Sequence, residues 1–145
     1  MIDIELMDWD QARQEASRIR FSVFVEEQGV PAEIEMDELD ASCLHALARA
    51  PDGTAIATGR LLPDDHIGRM AVSKQWRGKG VGARVLQALV EAARARGSRA
   101  VVLAAQTHAI DFYARHGFVP EGPVYEEAGI PHQDMRRPLQ PAANS

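Results

Sequence analysis

The sequence predicts a single domain of the α/β or α+β class, with a mixed sheet of about six to seven strands and helices on both faces. Strand-like segments come first, and a glycine-rich loop, a helix and a continuous apolar run follow them. A second helix and further strands close the chain. Its 145 residues, 46% of them hydrophobic, suit one core. We therefore expect a domain over residues 1–140 and a loose tail over residues 141–145.

The N-terminal third predicts a strand and a helix. Apolar and acidic side chains alternate over residues 2–6, which is typical of a half-buried strand. Asp8 or Asp10 can cap the following helix. Gly29 and Pro31 end it, and a short helix or structured loop follows. The apolar stripe of this helix comprises Ala12, Ala16, Ile19, Val23 and Phe24.

The middle of the chain predicts an antiparallel hairpin and a third strand. Residues 44–50 and 54–62 flank a Pro-Asp-Gly turn, and a further strand covers residues 66–72. The next segment, residues 73–82, is a loop rich in glycine and basic residues.

The C-terminal half predicts a helix from Gly82 to Gly97, followed by a buried strand over residues 100–104. The strand, helix and strand over residues 67–103 predict a right-handed crossover between parallel strands. Thr107 can cap a second short helix that ends at Gly117. The final strand is expected over residues 132–138.

Charge and cysteine content exclude several classes. The formal net charge of −5 does not fit a generic nucleic-acid binder, which needs surplus lysine and arginine. Cys43 is the only cysteine, so no intrachain disulfide and no cysteine metal cluster can form. The acidic N-terminus resembles neither a signal peptide nor a transit peptide. With no apolar run of membrane-spanning length, we expect a cytoplasmic protein without metal, membrane or nucleic-acid partner.

An acidic run over residues 26–40 has two interpretations. It contains seven acidic residues and no lysine or arginine. A solvated acidic face is the favoured interpretation. The alternative is an acidic wall that binds a cationic substrate.

The glycine loop predicts an anion site. Three glycines between Arg77 and Gly82 allow close approach of the backbone to a ligand, and the next helix contributes the partial positive charge of its N-terminus. Arg77 and Lys79 add full charges. A Walker loop would need Ser or Thr after Lys79, where Gly80 stands, and the spacing G-x-G-x-G departs from the dinucleotide fingerprint.

The loop resembles the coenzyme A diphosphate loop of the GNAT superfamily of N-acyltransferases, whose pattern is Gln/Arg-x-x-Gly-x-Gly/Ala. Arg77, Gly80 and Gly82 occupy the patterned positions. Residues 106–118 resemble the family's Asn-x-x-Ala-x-x-x-Tyr-x-x-x-Gly-Phe, with Gln106 in place of Asn. Residues 20–31 and 127–135 are similar to the ElaA-like or YjcF-like subgroup of predicted acetyltransferases.

The resemblance implies a splayed GNAT-like sheet and acetyl-CoA as co-substrate. The acetyl group would pass to a primary amine by direct attack in a ternary complex. A backbone amide at Met70 to Val72 would polarise the carbonyl. Tyr113 would face the departing thiol, although a core tyrosine is the alternative. The residues implied for coenzyme A are Met70, Val72, Arg77, Gly78, Lys79, Gly80, Val81, Gly82, Gln106, Phe112 and Tyr113.

Candidates for a general base are Glu26, Glu27 and His132, each of which also has a purely structural interpretation. His45 is a further imidazole, more typical of a structural hydrogen bond. Arg60 and Arg69 can line the acceptor side, and solvated strand arginines explain them equally well.

The acceptor class stays open between small amines, amino sugars and protein N-termini or lysines. A non-catalytic acyl-CoA-binding or regulatory module on the same fold is the alternative function, and a nucleotide binder is a second one. A homodimer through the C-terminal strands is a further option.

Overall fold

The computed structural model describes residues 1–32 and 37–140, which form two antiparallel sheets flanked by helices. The first sheet has the order β1-β2-β3-β4, and the second has the order β5-β7-β6. The strands are β1 Asp3–Met7, β2 Leu44–Arg49, β3 Ala55–Leu61, β4 Ile67–Val72, β5 Ala100–Gln106, β6 Val119–Glu127 and β7 Ile130–Pro138.

In the described ranges, three α-helices flank these strands: α1 Trp9–Arg20, α2 Val81–Ala95 and α3 Ile110–Arg115. The Asp8 carboxylate caps α1 by accepting a hydrogen bond from the Gln11 amide at 3.0 Å, as predicted. The wider π-helical turns Phe21–Glu27 continue α1. None of the helices in the described ranges is long and apolar enough to cross a membrane.

The predicted cap at Thr107 is wrong. Thr107 lies inside a 3₁₀ turn, Thr107–Ala109, and Ala109 precedes α3 without a side-chain cap. The 3₁₀ turn directly follows β5, so the helix begins at Ile110, two residues later than the capping pattern predicts.

The two sheets meet where β4 and β5 begin. A parallel bridge pairs His66 with Val102, and the Val102 amide donates to the Asp65 carbonyl at 3.1 Å. From there the two strands diverge toward their carboxyl ends, so the predicted parallel crossover becomes a splayed sheet. A cleft opens between Val72 and Gln106.

A bulge lies in β4 beside this cleft. Thr58 pairs with Ala71, but Arg60 pairs with Gly68, so β4 contains one residue more than β3 over this stretch. Arg69 takes up the extra length with a φ of 49°, in the left-handed region. Beyond the bulge, Ala71 and Val72 pair with β3 in register again.

The core lies on both faces of the first sheet, and alanine, valine, leucine and isoleucine dominate it. Helix α2 packs on one face through Val85, Leu86 and Leu89, all of which are fully buried. Helix α1 packs on the other face through Ala12, Ala16 and Ile19. Leu6 departs from the predicted alternation, because it is 45% exposed near the end of β1.

The acidic run is only partly a solvated face. Asp40 is buried and accepts two hydrogen bonds from Arg20, at 2.9 and 3.0 Å, and one from Arg60 at 2.9 Å. Asp37 binds Arg60 and Arg69. Glu38 is exposed, and residues 33–36 of the run lie outside the described residues. Part of the acidic charge therefore compensates buried arginines, which neither interpretation of the run predicted.

Candidate active site

The splay between β4 and β5 creates a cleft of about 1080 Å³. We call α1 and the π-helical turns that continue it the first helical segment. The walls of the cleft are completed by the end of the first helical segment, the N-terminus of α2, helix α3 and strand β7. Ten of the eleven residues implied for coenzyme A line the cleft, and so does His132. The ten are Met70, Val72, Arg77, Gly78, Gly80, Val81, Gly82, Gln106, Phe112 and Tyr113.

The glycine loop, which the sequence predicts to bind an anion, opens onto this cleft. We call its amides from Gly78 to Ala83 the anion cradle. Gly78 and Gly80 have φ values of 76° and 81°, and a Cβ at either position would meet no atom within 4 Å. None of the amides from Gly78 to Ala83 makes a backbone hydrogen bond within the described ranges, and no side chain caps α2. Free amides at the N-terminus of a helix suit a diphosphate group.

Arg77 does not reach into the anion cradle. Its Nε donates to the Val72 carbonyl at 3.0 Å, and its Nη2 donates to the Glu27 carboxylate at 2.6 Å. The guanidinium therefore links the end of β4 to the first helical segment through these two hydrogen bonds. Lys79 lies outside the lining of the cleft. The cradle consequently depends on backbone amides more than on the side-chain charges expected from the sequence.

Tyr113 lies on α3 at the edge of the cleft, between the rings of Phe112 and Phe118. The ring centroids are 5.1 and 5.9 Å away in edge-on arrangements. The Tyr113 hydroxyl has no hydrogen-bond partner among the residues that the structure describes. Burial raises the pKa of Tyr113 to about 12, so the phenol keeps its proton at neutral pH.

Gln106 ends β5 and forms a reciprocal carboxamide pair with Gln28. Its Nε2 donates to Gln28 Oε1 at 2.9 Å, and Gln28 Nε2 donates to Gln106 Oε1 at 3.3 Å. Both residues line the cleft. No local pattern in the sequence indicates this contact, because 78 residues separate the partners.

His132 lies on β7 opposite Tyr125, with the two rings stacked at 6.1 Å. Its Nδ1 lies 2.7 Å from the Ile130 carbonyl oxygen, which can only accept a hydrogen bond. The proton of a neutral His132 is therefore on Nδ1, and Nε2 keeps its lone pair. This tautomer leaves Nε2 able to accept a proton in the cleft.

The structure separates the two glutamates proposed as bases. Glu26 lies outside the cleft and lines a second depression with Gln14 and Phe21. Glu27 lines the cleft. Helical geometry points the two neighbouring side chains in different directions, so this placement does not support Glu26 as a base.

His45 has a structural environment. It is buried, its Nε2 lies 2.9 Å from the Asp40 carbonyl, and its ring packs 4.7 Å from that of Trp9. Burial lowers the pKa of His45, outweighing the opposing effect of Asp40.

The two arginines predicted for the acceptor side, Arg60 and Arg69, both line the cleft. Asp37 forms an ion pair with each of them.

A family model described as the acetyltransferase (GNAT) domain matches residues 10–139. The chain belongs to the GNAT acetyltransferase family. It is 38% identical to a Bacillus subtilis protein named uncharacterized N-acetyltransferase YjcF, over 88% of this chain and 94% of the relative. It is 37% identical to the Escherichia coli protein ElaA, over 83% of both chains.

Solved GNAT structures share its architecture. An acyl-CoA N-acyltransferase from Pseudomonas aeruginosa superposes with a TM-score of 0.84 at 33% identity, over 94% of this chain and 99% of the other. A structure described as a putative N-acetyltransferase from Lactobacillus plantarum gives a TM-score of 0.87 at 32% identity, over 96% and 99%. These matches confirm the predicted GNAT-like fold and the ElaA-like or YjcF-like subgroup.

As a GNAT acetyltransferase, this protein is an acyltransferase, and enzymes of this family use acetyl-CoA or another acyl-CoA. Within the described ranges, no group of three or more His, Cys, Asp or Glu side chains could hold a metal ion. The glycine loop, Tyr113 and His132 all border the cleft.

Proposed function

We propose that this enzyme transfers the acetyl group of acetyl-CoA to a primary amine by direct attack in a ternary complex. The observation that carries the proposal is the row of amides from Gly78 to Ala83, which have no backbone hydrogen-bond partner in the described part of the chain and border the same cleft as Tyr113 and His132. An anion cradle beside a phenol and an imidazole suits a phosphorylated thioester and an attacking amine.

The residues fit acetyl-CoA in two respects. The cradle offers free N–H groups and open space beside Gly78 and Gly80, where a diphosphate would lie. The backbone at Met70 and Val72 and the carboxamide of Gln106 border the cleft further in, where the pantetheine arm would lie. When bound, acetyl-CoA supplies the acetyl group and a thiolate leaving group.

Tyr113 acts as a hydrogen-bond donor toward the sulfur. With its pKa raised to about 12, the phenol is a much weaker acid than an ordinary thiol, whose pKa is about 8.5. Full proton transfer would be uphill by about 5 kcal/mol at these values. A hydrogen bond from the hydroxyl stabilises the thiolate. The proton that the thiolate takes up comes from the substrate nitrogen after the neutral amine has bonded to the carbonyl carbon and the C–S bond breaks.

His132 accepts a proton from the amine. Neutralising a lysine-like amine of pKa about 10.4 at pH 7 costs about 4.6 kcal/mol, whereas an α-amine of pKa about 7.8 costs about 1 kcal/mol. The free Nε2 of His132 is available for this proton because Nδ1–H is committed to the Ile130 carbonyl. A base at this position matters most for the more basic amines.

A thiol-release screen with acetyl-CoA tests the function. The purified protein is assayed against small amines, amino sugars and peptides with free N-termini or lysines, and calorimetry measures binding of coenzyme A and acetyl-CoA. We expect acetyl-CoA binding that ATP does not displace, and turnover with at least one amine class. Donor binding without turnover on any amine would contradict the proposal, and so would the absence of donor binding at millimolar concentration.

A further inference from the structure

Two consecutive residues at the end of the first helical segment reach opposite walls of the cleft. The Glu27 carboxylate pairs with Arg77, in the loop that follows β4. The Gln28 carboxamide pairs with Gln106, at the end of β5. The segment thus bridges the two sheets at the ends where they have diverged.

The π-helical turns place these two side chains. The amide of Gln28 donates to the Val23 carbonyl at 3.1 Å, across the five residues of a π-helical turn. Where the helix ends, the amide of Val30 donates to the Phe24 carbonyl at 2.9 Å, a span of six residues. Such widened turns are rare and occur frequently at functional sites. Here they bring Val23, Phe24, Glu27 and Gln28 to the lining of the cleft.

The two bridges differ in chemistry and burial. The Arg77 and Glu27 side chains are 43% and 32% exposed, so water and salt screen their ion pair. The pair of Gln28 and Gln106 is partly buried and uncharged. A partly buried carboxamide pair is the more specific contact, because each partner both donates and accepts at a fixed separation.

The reciprocal pair fixes the Gln106 carboxamide. A glutamine side chain has three rotatable bonds, and holding it in one orientation costs conformational entropy. The contact with Gln28 restrains Gln106 before any ligand arrives. One N–H of the Gln106 amide and a lone pair of its oxygen remain for a ligand.

We propose that Gln28 is a positioning residue for the donor. Its carboxamide holds Gln106 in the orientation in which Gln106 binds the amide groups of the pantetheine arm. This inference rests on the function proposed above, which assigns the donor to this cleft. Preorganisation of the contact lowers the entropic cost of donor binding. Gln28 itself acts through Gln106 and does not touch the reacting atoms.

A mutant cycle read by calorimetry tests this role. Acetyl-CoA affinity is measured for the wild type, Gln28→Ala, Gln106→Ala and the double variant. We expect each single variant to raise the Kd about three- to tenfold, the usual effect of one partly buried hydrogen bond. The double variant should be no weaker than the weaker single variant, because Gln28 acts through Gln106. At saturating acetyl-CoA, kcat of Gln28→Ala should equal that of the wild type.

Two further variants sharpen the test. Gln14→Ala removes an exposed glutamine from the same helical segment, outside the cleft, and should leave the Kd unchanged. Gln28→Glu keeps an acceptor for Gln106 Nε2 but loses the donor, so its Kd should lie between those of the wild type and Gln28→Ala.

Several results would overturn the inference. The first is a Kd of Gln28→Ala equal to or below the wild-type value. The second is a loss of acetyl-CoA affinity in the double variant equal to the sum of the two single losses. The third is a Kd of Gln28→Glu as high as that of Gln28→Ala. A lower Kd would mean that Gln28 competes with the donor for Gln106. Failure of the wild type to bind acetyl-CoA would instead contradict the proposed function, so the two failures are distinguishable.

Discussion

Among single residues, Tyr113 combines an apolar environment with a hydroxyl that has no protein partner in the described chain. We expect Tyr113→Phe to lower kcat about 100-fold, the usual cost of removing one hydrogen-bond donor from a developing negative charge. The KM for acetyl-CoA should change little. The wild-type pH–rate profile should contain no tyrosine limb below pH 10, because the pKa of Tyr113 is raised to about 12.

Tyr125→Phe is the matched control for this variant. It removes the hydroxyl that donates to Asp134 at 2.6 Å and keeps the ring that stacks on His132. Its turnover should equal that of the wild type. An unchanged kcat for Tyr113→Phe across the pH range would eliminate the phenol from the mechanism.

His132 offers a test that depends on the acceptor. We expect His132→Ala to lower kcat/KM more for an amine of pKa about 10 than for one of pKa about 8, because only the first needs a base at pH 7. Calorimetry should find acetyl-CoA affinity unchanged. Equal losses with both amines would indicate that His132 shapes the cleft and does not accept the proton.

Among the elements, the loop before α2 and the turn after it provide a pair of glycines with the same backbone requirement. Gly80 and Gly97 have φ values of 81° and 92°, and a Cβ at either would meet no atom within 4 Å. An alanine in the left-handed region costs about 1–2 kcal/mol. We expect Gly80→Ala and Gly97→Ala to lower the free energy of unfolding by similar amounts.

The two variants should differ in donor binding. Gly80→Ala should raise the KM for acetyl-CoA about tenfold, because its Cβ would occupy the open space where the diphosphate would lie and would displace about one hydrogen bond to a charged group. Gly97→Ala should leave the KM unchanged. Urea unfolding and initial-rate kinetics measure the two quantities. Equal KM values for both variants would argue against the anion cradle.

In strand β3, Gly59 is required because side chains pack closely against it, and not because of its backbone conformation. A Cβ at Gly59 would lie 2.6 Å from the Met70 sulfur and 3.0 Å from Leu89. The small residue in β3 thus leaves room for Met70 next to the bulge. Gly59 does not need a left-handed φ; it is required by close packing.

For the molecule as a whole, the buried pairs of Asp40 with Arg20 and Arg60 join the first helical segment to β3 through the 38–42 turn. Burial alone would raise the pKa of Asp40, but the two arginines outweigh it and the pKa lies below its usual value. Asp40→Asn leaves two buried arginines without this charge. We expect it to lower the free energy of unfolding by about 3–5 kcal/mol at pH 7.

The same ion pairs predict how stability depends on pH. Because the pKa of Asp40 is lower in the folded state, its contribution is fully present above about pH 4 and is lost as the pH falls through the folded-state pKa. Urea unfolding should show that wild-type stability declines more steeply in acid than that of Asp40→Asn. Asp3→Asn, on the exposed side of β1, serves as control, and parallel curves for wild type and Asp40→Asn would contradict the role assigned to the network.

The sequence by itself determined the features that are local in the chain. The cap at Asp8, the hairpin of β2 and β3, the glycine loop and the helix that follows it all depend on residues within a few positions of one another. The resemblance of residues 77–82 and 106–118 to GNAT patterns added the family, while the location that it implies for the coenzyme A site stays a prediction. These elements follow from backbone preference and from apolar periodicity.

Only the tertiary structure decided which side chains meet. The pairing of Gln28 with Gln106, the separation of Glu26 from the cleft, and the burial of Asp40 between two arginines join residues that are far apart in the chain or depend on the exact turn of a widened helix. The extra residue of β4 at the bulge likewise becomes evident only when β3 and β4 pair. Contacts of this kind depend on the relative positions of packed elements, which local preferences do not specify.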